Sequence, residues 1–128
     1  MSYYFAQTLS TSFDDAVSRI VAALKEEGFG IITEIDLKET FKRKLDIDFR
    51  RYKILGACNP HLALEALKLE DKVGTMLPCN VIVQERGEGQ VEVAAIDPVA
   101  SMQAIGNAAL AEKAQAVRQK LQSVIERL

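Results

Sequence analysis

The chain's two cysteines and its only histidine fall in two short stretches, Gly56-Ala57-Cys58-Asn59-Pro60-His61 and Leu77-Pro78-Cys79-Asn80-Val81. Cys58 and His61 have Cys-x-x-His spacing. Cys79 would bring a third soft ligand if the strand it precedes lies beside the one that ends near Cys58. Three such ligands suit zinc or copper, with water or a carboxylate such as Asp97 completing the shell. The paired Cys-x-x-Cys halves of a structural zinc site are absent. The plainer reading is two small buried thiols at strand ends and an exposed histidine in a first helical turn.

The same residues admit other chemistry. A helix N-terminus lowers a thiol's pKa, so Cys58 with His61 as its base would make a thiol-dependent enzyme, provided a third group orients them. Backbone donors at the helix start around Asn59 and Pro60 could instead receive a small anionic ligand. Asn59, Pro60, Pro78 and Asn80 equally serve as turn and cap residues, and Asp97 before Pro98 as a strand-to-helix turn. The candidate ligand-binding set is therefore Cys58, Asn59, Pro60, His61, Cys79, Asn80 and Asp97, with Cys58, His61 and Cys79 as the metal subset. The leading expectation is a binding module that recognises rather than turns over. A thiol enzyme and a purely structural or protein-partner domain are the alternatives.

These residues must be held by regular elements, and the patterning supplies them. Residues 3–9 alternate Tyr3, Phe5 and Leu9 against Tyr4, Ala6 and Thr8, which reads as a strand. Ser10, Thr11 and Ser12 then offer capping hydroxyls to a helix whose Phe13, Ala16, Val17, Ile20, Val21 and Leu24 form one apolar stripe, stopped by Gly28. A β-branched strand follows at residues 30–35, then a short helix at 37–44 capped by Asp36. Residues 50–57 read as a third strand, with Arg51 and Lys53 outward and Tyr52 and Ile54 inward. Asn59 and Pro60 open a helix that ends near Leu69. Residues 81–85 and 90–96 flank a Gly-containing link and predict a hairpin. After Asp97-Pro98 a helical tail carries Leu110, Ala114, Val117, Leu121, Val124 and Leu128 on one stripe, with Lys113 and Arg118 largely elsewhere. Gly106-Asn107 divides a short helix from the long one.

That order mixes hairpin and helix connections. It favours an α+β fold, a mainly antiparallel sheet with helices on one face, over a doubly wound parallel sheet. A length of 128 residues with 48% hydrophobic and 27% charged content matches one soluble domain over residues 1–128. No apolar run reaches bilayer length and the first residues lack a secretory pattern, so the expected location is cytoplasmic. The formal charge of -2 gives no overall argument for nucleic acid or membrane. Only residues 38–53 are locally basic, through Lys38, Lys42, Arg43, Lys44, Arg50, Arg51 and Lys53. No phosphate-binding loop, dinucleotide fingerprint or metalloprotease histidine pair is present.

Taken together, Gly28-Phe29-Gly30 with Ile35-Asp36, Gly56-Ala57-Cys58-Asn59-Pro60, Leu77-Pro78-Cys79-Asn80-Val81 and Ile96-Asp97-Pro98 resemble the family known as domain of unknown function 302. The resemblance spans nearly the whole chain. It implies a fold similar to the TATA-binding-protein-like α+β arrangement, with a curved antiparallel sheet backed by helices, and a homodimer. It implies no reaction, and the fold likeness to a DNA-binding protein transfers no function. A one-layer sheet leaves a face or an edge that a twofold partner can bury.

Overall fold

The computed structural model describes residues 2–128. Its five strands are β1 (Tyr4–Leu9), β2 (Gly30–Asp36), β3 (Tyr52–Cys58), β4 (Cys79–Gly87) and β5 (Gln90–Ile96). They form an antiparallel sheet in the order β1-β5-β4-β3-β2. Between and after them run α1 (Phe13–Glu26), α2 (Leu37–Leu45), α3 (Pro60–Leu69), α4 (Pro98–Ser101) and α5 (Ala108–Glu126). The mixed α+β fold expected from the pattern is the one observed. Among the described residues no helix is long and apolar enough to cross a membrane.

Local chemistry explains the ends of α1. The Asp15 N–H donates to the Ser12 hydroxyl at 3.1 Å, satisfying an orphan donor of the first turn. At the other end Gly28 takes φ +86°, and the Phe29 and Gly28 N–H groups return to the Leu24 and Lys25 carbonyls at 2.9 and 3.0 Å. This reversal needs a residue without a Cβ penalty, and it drops Phe29 into the core.

Phe13, Ala16, Ile20 and Leu24 of α1 and Leu121, Val124 and Ile125 of α5 pack on one sheet face, against Leu9, Leu55, Val81, Val83, Val91 and Val93. Each large apolar side chain buried here stabilises the fold by roughly 1.5–3 kcal/mol. α3 packs on α5 rather than on the sheet. Ala66, Val73 and Leu110 make a second, smaller cluster there, beneath a 3-10 turn over Asp71–Met76. α2 buries no residue fully. It is anchored through Phe41, whose ring stands edge-on to Phe49, itself tilted on Tyr52.

The expected phase of β3 is inverted. Leu55 and Ala57 face the core, opposite Val81 and Cys79, so Tyr52 and Ile54 lie on the other face. Arg51 and Lys53 do not mark a wet face. Arg51 stacks on Phe13 at 4.2 Å and pairs with Asp14 at 2.8 Å, while Lys53 pairs with Glu34 at 2.7 Å. The Arg51 guanidinium covers a core ring, and both charged heads find carboxylate partners.

Candidate functional site

The two cysteine-bearing stretches meet. β3 ends at Cys58 and β4 begins at Cys79, and the register sets Ala57 opposite Cys79 and Gly56 opposite Asn80. Beyond these strand ends α3 and α5 cross, tied by Lys113 Nζ to Glu65 Oε2 at 2.9 Å. Between the strand ends and the two helices lies a cavity of roughly 320 Å³. Phe29, Ala57, Cys58 and Cys79 line it from the sheet. Leu62, Ala63 and Ala66 line it from α3, and Leu110, Lys113, Ala114 and Val117 from α5. The gap separates the main core from the smaller cluster. It exists because alanines occupy positions where α3, α5 and β3 converge, and their short side chains do not fill the space between the backbones.

Cys58, Asn59 and Cys79 share the wall of this cavity. Cys79 is buried, and that burial, reinforced by the neighbouring Cys58, pushes its thiol up to about 11 from an ordinary value of 9.0. It therefore stays protonated at neutral pH. Asn59 caps α3: the Leu62 N–H donates to its Oδ1 at 3.3 Å and the Ala63 N–H to its carbonyl at 2.9 Å. Its Nδ2 donates to the Glu27 carbonyl at 3.4 Å, joining the end of α1 to the start of α3. These bonds occupy donors that an incoming anion would otherwise use at this helix start.

The other candidates lie elsewhere. Pro60 begins α3 and is exposed. His61 follows it on the solvent side, because the helical period turns Leu62, Ala63 and Ala66 inward and leaves His61 and Glu65 outward. Asn80 is exposed on the sheet face turned away from α1 and α5, since alternation along β4 gives the core side to Cys79 and Val81. Asp97 is buried but engaged: its Oδ1 accepts from the Val99 N–H at 3.0 Å and its Oδ2 from Arg118 Nε at 3.1 Å. Among the described residues no three of His, Cys, Asp and Glu lie close enough together to hold a metal ion. Cys58, His61 and Cys79 thus do not assemble as a ligand set.

Lys113 was missed. The sequence reading set it off the stripe of α5, yet it stands three residues after Leu110 and four before Val117, at the stripe's margin, and its stem lines the cavity. That spacing was the available signal. The basic stretch over residues 38–53 is largely engaged inside the molecule. Lys42 reaches Asp46 and Asp48, Arg43 reaches Glu39, and Lys38 donates to the Phe49 carbonyl. Arg50 lies 4.5 Å over the Phe49 ring and donates to Gln84 Oε1.

An open antiparallel sheet backed by helices, with an apolar cavity at its strand ends and two thiols on the cavity wall, defines an α+β domain. The chain belongs to the family described as Domain of unknown function DUF302, whose model matches residues 5–128. It is similar to the crystal structure of an uncharacterized conserved protein DUF302 from Bacillus stearothermophilus, at 26% identity and a TM-score of 0.91. That likeness covers 99% of this chain and 98% of the other. No curated protein matches the chain.

Proposed function

We propose that the chain is a binding module whose small-molecule ligand occupies the cavity between the β3 and β4 strand ends and helices α3 and α5. The observation that carries this reading is the cavity of roughly 320 Å³ with apolar walls and both thiols on them. Ligand sites generally begin at about 300 Å³. An apolar cavity of about 150 Å³ already accepts benzene. The walls suit recognition more than turnover: His61, the base that a Cys58 nucleophile would need, is exposed on the outer side of α3, while Cys58 lies on the cavity wall.

Calorimetric titration with decan-1-ol, a neutral apolar probe, tests the reading. The native chain is expected to bind one equivalent and to melt at a higher temperature when saturated. Ala63→Phe, which fills the cavity from α3, should remove binding while the protein stays folded. Absence of binding by the native chain, or unchanged binding by folded Ala63→Phe, would refute the proposal.

A homodimer is part of this proposal. What supports it is an apolar row, Ala6-Ala94-Ile82-Ile54-Ile35, whose successive members are paired by register across all five strands. It runs along the sheet face turned away from α1 and α5, and a second copy could bury it. Light scattering should give twice the chain mass for the native protein and the monomer mass for Ile82→Glu. A native monomer would remove this part alone.

A further inference from the structure

We infer that the ligand of this cavity is an amphipathic anion, an apolar body sunk between α3 and α5 with a terminal carboxylate held at the mouth by Lys113. The inference rests on the cavity reading above and adds the chemical class of the occupant.

The interior selects the body. Ala57, Ala63, Ala66, Leu110, Ala114 and Val117 present no polar side-chain atom to the space, so a ligand polar throughout would lose hydration without replacement. The volume is about twice that of a benzene-sized apolar cavity, which corresponds to a body of roughly ten carbon atoms.

The mouth selects the head. Apart from the thiols, the polar side chains on the wall are Asn59 and Lys113. Asn59 is neutral, its amide oxygen accepts from the Leu62 N–H and one of its two amide N–H donors goes to the Glu27 carbonyl, so it offers an anion at most one uncharged donor. Lys113 carries three N–H donors, of which Glu65 takes one. Its stem lies along the wall while the side chain remains 38% exposed, so the ammonium sits at the rim. Glu65 is surrounded by basic groups: Lys113, then His61 and Lys68, all hold its carboxyl below the usual range. Lys113 is the main cause, and with Glu65 taking one of its three donors its ammonium keeps two for a second carboxylate at the rim. A carboxylate at the rim keeps part of its hydration, so the expected gain is modest.

The test compares decanoate with decan-1-ol by calorimetry at neutral pH. The native chain should bind decanoate about ten-fold more tightly, in line with one partly exposed charge-assisted hydrogen bond. Lys113→Met keeps the stem, and it should abolish that preference while leaving decan-1-ol affinity within about two-fold. Glu65→Gln should widen the preference. High salt should shrink it in the native chain, a reading that needs no variant to fold. Equal affinity of the native chain for the two probes, a preference that survives both Lys113→Met and high salt, or tighter binding of decylamine than of decanoate would overturn the inference and leave the cavity reading standing. Failure of both decan-1-ol and decanoate to bind would overturn both.

Discussion

Gly56 lies directly against Pro78. A Cβ built on Gly56 would stand 2.7 Å from Pro78 Cγ and would overlap the Thr33 hydroxyl. This close approach locks the two cysteine-bearing stretches together one residue before Ala57 and Cys79 pair across β3 and β4. It gives the Gly56 and Pro78 of those stretches a packing role beside the cavity they frame.

Gly56→Ala is accordingly expected to destabilise the protein by about 1–3 kcal/mol, the usual penalty of overpacking a closed site. Urea unfolding measures it. A variant as stable as the native chain would show that Thr33 and Pro78 yield freely.

Asn59→Ala should cost about 1–2 kcal/mol through loss of the α3 cap. Asn59→Asp keeps an acceptor for the Leu62 N–H and discards the donor to the Glu27 carbonyl. Its expected loss of roughly 1 kcal/mol isolates the bond between the two helices. If Asn59→Asp unfolds with the native midpoint, that bond contributes nothing.

Asp97→Ala removes the cap of α4 and leaves the Arg118 guanidinium without its carboxylate, next to the Phe5 ring. The expected loss is about 3 kcal/mol, near the lower end for breaking a buried pair because Arg118 is partly exposed. Asp97→Asn retains an acceptor for the Val99 N–H and should lose less. Thermal melts of both variants decide it, and equal losses would assign the whole effect to the charge.

Cys79 makes stability depend on alkaline pH. Its folded thiol titrates at about 11 against an ordinary 9.0, so burial favours the protonated form. The unfolded chain releases this proton first as pH rises. The contribution is therefore complete below about pH 9 and falls away up to about pH 11, by roughly 2–3 kcal/mol. The difference in unfolding free energy between native and Cys79→Ala protein should narrow over that window, and a constant difference would contradict it. Cys58, half-buried, should also be alkylated well before Cys79 in the folded protein.

Much of the scaffold was legible from residues close together in the chain. The stripe from Phe13 to Leu24, the Gly28 stop, the Asn59-Pro60 helix start and the hairpin around Gly87 and Gly89 follow from capping, backbone freedom and periodicity, which act over a few residues. β3 was the exception. Tyr52, Ile54, Leu55 and Ala57 put apolar groups on both faces, so alternation alone did not select one. Pairing with Val81 and Cys79 of β4, both buried, selected Leu55 and Ala57.

The site divides the same way. That Cys58 and Cys79 sit at strand ends, and that Asn59 caps a helix, was written in the residues beside them. Tertiary structure alone decided that Lys113 comes to the cavity rim and that Asp97 belongs to Arg118. A side chain's helical or strand position sets its direction relative to its own backbone. Whether that direction meets solvent, a charge or a cavity depends on which distant surface crosses it.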